Sequence, residues 1–232
     1  MLLKICGMRD EANIRAVLKT IPYAVKPAML GFIFYERSPR FAEKYGYAVS
    51  PDVVRSLRKS VQTIGVFVNA KRETILETVQ RYDLCGVQLH GAETPSFCRD
   101  LGEELAMLSG KMLSGNTPNN KILLLKAFSI ALESDFEDIP SYEGAVDYGL
   151  LDAKGLQYGG NGTTFDWSLL QKYEANIPFF LSGGIGNENV EDIKNLRHSQ
   201  LIGVDVNSRF ETAPALKNPA KLAEFALALN AA

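Results

Sequence analysis

The chain has 232 residues, 46% of them hydrophobic, enough for one large buried core. Its 25 Lys and Arg against 27 Asp and Glu leave a formal charge of −2, which excludes a general polyanion binder, because phosphate backbones are held by clustered basic side chains. Three cysteines, Cys6, Cys85 and Cys98, in no metal-ligand spacing, point to a reducing compartment rather than to a disulfide framework.

The opening Met1-Leu2-Leu3-Lys4-Ile5-Cys6 lacks the apolar stretch of a signal peptide, and no later run approaches bilayer-spanning length. The expectation is a cytoplasmic protein with neither a membrane nor a nucleic-acid partner. Eight short apolar or β-branched runs then follow: Leu3-Ile5, Met29-Phe34, Thr63-Val68, Gly86-Leu89, Ile122-Ala127, Tyr148-Leu151, Phe179-Leu181 and Leu201-Val204. Helix-like segments separate them, the pattern of βα units feeding a parallel sheet buried on both faces. Roughly 29 residues per unit matches a (β/α)8 TIM barrel, and no linker divides the chain, so residues 1–232 read as a single domain.

Between the runs, Pro22 and Pro27 make the approach to the second strand irregular, and Ser114 to Asn120 reads as an exposed turn. The fifth unit leaves room only for a short or irregular helix, Ala131 to Asp138, before Pro140. Asn187-Glu188-Asn189 ahead of Val190, Ile193 and Leu196 has a capping start and a helical stripe. Lys221 to Leu229 reads as a closing amphipathic helix.

Reactive groups in a barrel gather at the carboxyl ends of the strands. Here those positions hold Cys6-Gly7, Ser38-Pro39-Arg40, Asn69, His90-Gly91, Asp152, Ser182-Gly183-Gly184 and Asp205-Val206-Asn207-Ser208, in strand order. The glycine runs at 159–162 and 183–186 let backbone amides approach an anion, and a phosphate is the natural guest after strands 7 and 8. Neither run continues as a dinucleotide fingerprint. Cys6 and Asp152 face each other across the mouth with strands 7 and 8 between them, which suits a proton removed by one group and supplied by another. Arg40 directly follows a strand end, where a substrate carboxylate is welcome. Lys4 shares strand parity with Cys6, so it points inward toward Asp205. Cys85 and Cys98 are assigned to packing and His198 to solvent; the two histidines make no metal site on this spacing.

Taken together, Lys4-Ile5-Cys6-Gly7-Met8, Gly31-Phe32-Ile33-Phe34 with Ser38-Pro39-Arg40, Gly65 to Asn69, and Val87-Gln88-Leu89-His90-Gly91 resemble the phosphoribosylanthranilate isomerases of tryptophan biosynthesis. So do Leu150-Leu151-Asp152, Gly159 to Gly162 with Phe165-Asp166-Trp167, Leu181 to Gly184 and Gly203 to Val206, so that the resemblance runs nearly end to end. It implies an Amadori rearrangement of N-(5-phosphoribosyl)anthranilate, with Cys6 as general base at the sugar C2 and Asp152 as general acid at the ring oxygen. It further implies Arg40 on the anthranilate carboxylate and Asp205 close to the cysteine. With His90, the expected substrate-binding set is completed by Gly160, Gly183, Gly184, Asn207 and Ser208. No cofactor and no metal are expected; the partner is a small phosphorylated molecule, and the assembly a monomer or homodimer. The chain departs from the family where Asn207-Ser208-Arg209 replaces the usual Ser-Ser-Gly, and where Gly-Gly-Asn-Gly replaces Gly-Gly-Thr-Gly. Two other readings stay open: a histidine-pathway aminosugar isomerase, which uses two aspartates, and a silent phosphate-binding barrel.

Overall fold

The structure is a computed structural model and describes residues 1–112, 121–153 and 164–231. Eight parallel strands close into a barrel in sequence order, β1 (Leu2–Ile5), β2 (Met29–Ile33), β3 (Gln62–Phe67), β4 (Gly86–Leu89), β5 (Leu123–Ile130), β6 (Tyr148–Ala153), β7 (Phe179–Leu181) and β8 (Leu201–Val206). The runs read from sequence hold their places, and the main differences are at the ends. β5, β6 and β8 continue two or three residues beyond the apolar stretch, because pairing such as Ser129 with Asp152 and Lys4 with Asp205 extends the ladder into polar residues.

Helices α1 (Glu11–Thr20), α2 (Pro51–Leu57), α3 (Arg72–Tyr82), α4 (Pro95–Met112), α5 (Val190–Asn195) and α6 (Pro219–Asn230) form the outer layer. Side chains cap the starts of α1 and α6: Asp10 accepts from the Asn13 amide at 2.7 Å, and Asn218 from the Lys221 amide at 3.1 Å. In the fifth unit two 3₁₀ turns, Glu133–Phe136 and Ile139–Tyr142, stand in place of an α-helix, consistent with Pro140. The sixth unit likewise has a 3₁₀ segment, Trp167–Lys172, and a 3₁₀ turn, Tyr23–Val25, fills the stretch between Pro22 and Pro27. After β8 comes a feature absent from the sequence reading, a small antiparallel pair, β9 (Glu211–Ala213) and β10 (Leu216–Lys217).

Two apolar clusters follow from strand alternation. The larger lies between strands and helices, and the smaller, Met29, Ile64, Leu125, Ala127, Leu150 and Phe180, fills the barrel interior. One irregularity sets what lies above that plug. Phe179 pairs with Leu201 but Phe180 with Gly203, so Ile202 is an extra residue in β8. Beyond it the parity is shifted, and Asp205, paired in register with Lys4, turns inward. His198, expected in solvent, instead packs its ring on Tyr173 and Phe179, at 5.5 and 5.2 Å between centroids.

Candidate active site

Cys6 continues β1 through its amide, which donates to the Val206 carbonyl at 2.9 Å. Its sulfur then lies over β2, where Gly31 leaves the space: a Cβ there would come within 2.9 Å of Cys6 Sγ. Gly7 turns the chain away with φ of +75°. Beneath the thiol, Lys4 donates to Asp205 Oδ1 at 2.9 Å with no exposure of the lysine side chain. Burial works against the Lys4 charge, but Asp205 and Cys6 outweigh it and hold the ammonium above its ordinary value. Burial pushes the Cys6 thiol up, against the pull of the Lys4 and Lys217 charges and the Gly7 amide.

Across the mouth, Asp152 projects from β6, and its Oδ2 lies 3.2 Å from His90 Nε2. His90 Nδ1 lies 2.8 Å from Gln88 Nε2; an amide donor there leaves the imidazole proton on Nε2, directed at the carboxylate. The loop bearing His90 is pinned from below. Glu93 accepts from the Asn69 and Gly91 amides at 2.8 and 2.9 Å, and Lys126 donates to the Gly91 carbonyl at 2.8 Å.

One cavity joins these groups. Cys6, His90, Asp152, Ser182, Gly183, Gly184, Asp205, Asn207 and Ser208 all line it, so the strand-end residues expected from sequence converge. Its wall on the β2–β3 side is largely apolar, Ile33, Tyr35, Val66 and Val68, while the β7–β8 side carries serines, glycines and Arg209. Gly183 and Gly184 both have positive φ, +86° and +61°, and a Cβ on Gly183 would sit 2.5 Å from the Ala153 nitrogen of β6. Only glycine permits that closeness, and among the described residues the amides of Gly183 and Gly184 have no hydrogen-bond partner.

Two expectations stand apart. Arg40 is outside the cavity lining; its Nε and Nη2 are taken by the Glu211 carboxylate, with Nη2 at 2.6 Å from Oε2. Gly160, the rest of the glycine run at 159–162 and the expected turn at 114–120 lie outside the described residues. Conversely, the sequence reading missed Glu211 and Lys217. Lys217 Nζ, fully buried, donates to Asn207 Oδ1 at 2.7 Å and to Glu211 Oε1 at 2.6 Å. Burial works against the Glu211 charge, yet Arg40 and Lys217 hold its carboxyl below the usual range. The only signal for this pair was two opposite charges flanking Pro214 in a stretch without periodicity.

Comparison with known proteins completes the description. A family model for N-(5'-phosphoribosyl)anthranilate (PRA) isomerase matches residues 3–228. The N-(5'-phosphoribosyl)anthranilate isomerase of Parabacteroides distasonis is 42% identical over 97% of this chain and 91% of its own length. That of Phocaeicola vulgatus is 39% identical over 97% and 96%. Among solved structures, the Thermotoga maritima enzyme superposes with a TM-score of 0.76 at 30% identity, covering 99% of this chain and 98% of its own. A phosphoribosyl anthranilate isomerase bound to reduced 1-(o-carboxyphenylamino)-1-deoxyribulose 5-phosphate gives 0.73 at 27% identity, over 99% and 98%. With its closed barrel, its convergent strand-end site and a family match over nearly its whole length, the chain belongs to the phosphoribosylanthranilate isomerase family and is an isomerase of tryptophan biosynthesis.

Proposed function

We propose that the chain converts N-(5'-phosphoribosyl)anthranilate to 1-(2-carboxyphenylamino)-1-deoxyribulose 5-phosphate with Asp152 as general acid and Cys6 as general base. Asp152 protonates the furanose ring oxygen, the C1–O bond breaks, and the anilino nitrogen lone pair forms the Schiff base. The Cys6 thiolate then takes the proton from C2, the electron pair moves to give the enolamine, and tautomerisation yields the ketone. The observation that carries this reading is the single cavity lined by Cys6 and Asp152 from separate strands. The Asp152 charge acts on Asp205, which lines the same cavity and is paired to Lys4 below the thiol, so the two sides lie within electrostatic reach.

The walls suit the two ends of such a substrate. The apolar β2–β3 side fits an aromatic ring, and the bare amides at Gly183 and Gly184, with Ser208 and Asn207, fit its phosphate. For the anthranilate carboxylate the partner is Arg40, which stands outside the cavity lining beside Glu211 and whose Nη1 has no hydrogen bond among the described residues. No helix of the described residues is long and apolar enough to cross a membrane, in keeping with a cytoplasmic enzyme. A monomer or homodimer is the assembly we favour; the Thermotoga maritima relative is dimeric.

The test is a fluorescence assay that follows consumption of the phosphoribosyl anthranilate, run beside the histidine-pathway aminosugar. Turnover of the first alone is expected. Turnover of the second alone would replace the assignment, and turnover of neither would leave a phosphate-binding barrel.

A further inference from the structure

The wall between β7 and β8 ends in a formal positive charge, Arg209. The residue follows Asn207 and Ser208 on the 3₁₀ turn Ser208–Phe210, and it lines the same cavity as Gly183 and Gly184. Among the described residues its side chain is engaged through Nη2 alone, with Glu188 Oε1, which leaves Nε and Nη1 without a partner. Glu188 is itself seated over backbone: a Cβ placed on Gly186 would lie 2.5 Å from its Oε2. The Arg209 contact also holds the Glu188 carboxyl below the usual carboxylate range. The other charge nearby is Lys221, whose Nζ donates to the Arg209 carbonyl at 2.8 Å.

We infer that Arg209 is a phosphate-recognising residue of this isomerase, and that Glu188 is the internal carboxylate it holds until the substrate phosphate replaces it. The inference rests on the phosphate placement proposed above. Both side chains of the pair are about half exposed, 45% and 50%, so water screens their attraction and the contact is weak. A phosphate dianion carries more charge than the carboxylate, and a guanidinium meets its oxygens through two parallel N–H groups. Bare glycine amides and one arginine then grip the anion from two sides, with Glu188 swung out to solvent. The Arg40–Glu211 pair is not equivalent: its side chains are 12% and 5% exposed, and Lys217 braces its carboxylate.

The experiment measures binding of inorganic phosphate by calorimetry, together with kcat and KM, in the wild type, Arg209→Ala, Arg209→Lys and Glu188→Gln. Arg209→Ala is expected to weaken phosphate binding about tenfold, the scale of a charge-assisted hydrogen bond, and to place its kinetic loss in KM. Arg209→Lys restores part of the affinity, since the charge remains without the planar fork. Glu188→Gln tightens phosphate binding, because the resident competitor is gone. Equal phosphate affinity in the wild type and Arg209→Ala overturns the inference, as does a wild type that binds no phosphate. Weaker binding in Glu188→Gln overturns the exchange, since Glu188 would then be orienting the arginine. Should phosphate binding depend on Arg209 in a protein without isomerase turnover, the proposed function fails and this inference stands.

Discussion

Cys6 and Asp152 reach one cavity from opposite surroundings. Around Cys6 stand Lys4, Asp205 and Lys217, delivered by β1, β8 and β10, with both lysine side chains fully buried. Around Asp152 the described residues provide one close partner, His90, itself at the rim and partly exposed. Charges in a dry interior act on one another with little screening, so the cysteine side behaves as one electrostatic unit. On the aspartate side a hydrogen bond to one imidazole does the orienting. A thiol driven up by burial needs such a unit to become a base, whereas the carboxyl is set toward the cavity by a single neighbouring ring.

Losing either reacting group is the largest break in this comparison. Cys6→Ala and Asp152→Asn should each lower kcat about 100-fold or more with modest effects on binding, as removal of general acid or base catalysis does. Near-full activity of Cys6→Ala would remove the base from the proposal. Next comes the charge unit. The active Cys6 is the thiolate, so the rate climbs with pH toward a thiol value raised above the ordinary one. Lys4→Met combined with Asp205→Asn removes the principal charge that lowers that value and avoids an orphaned buried carboxylate. Because the Lys4 charge outweighs the opposing charge of Asp205, the rising limb of the pH–rate profile should move to higher pH and the rate at pH 7 should fall; an unmoved limb means that the pair as a whole does not tune the thiol. Arg40→Ala, measured as a KM increase of about tenfold with kcat less affected, tests the carboxylate partner. His90→Asn is the smallest break: kcat should fall by less than in Asp152→Asn while the rising limb stays in place, since His90 faces the acid and not the thiol.

The strands were legible because parallel strands covered on both faces are continuous apolar runs, and the strand ends therefore exposed Cys6, His90, Asp152, Gly183 and Asp205 as a set. Other parts of the site depend on geometry that no local pattern encodes. The extra residue Ile202 sets which side of β8 faces inward, yet it is one apolar residue among several. Lys217 arrives from a two-stranded hairpin whose residues alternate without a period. For Arg40 the sequence located the strand end, while the direction of the guanidinium was decided by Glu211, 171 positions away. His198 looked solvated because its helix is polar, and the aromatic pair that receives it comes from other elements.

The Lys4–Asp205 contact spans 201 positions and joins the first strand to the eighth. During synthesis the amino-terminal portion therefore emerges with its sulfur still an ordinary, untuned thiol. Reactivity arrives only when the final strand docks and the ring shuts, so a chain cut short before β8 gives an inert fragment rather than a partly working enzyme.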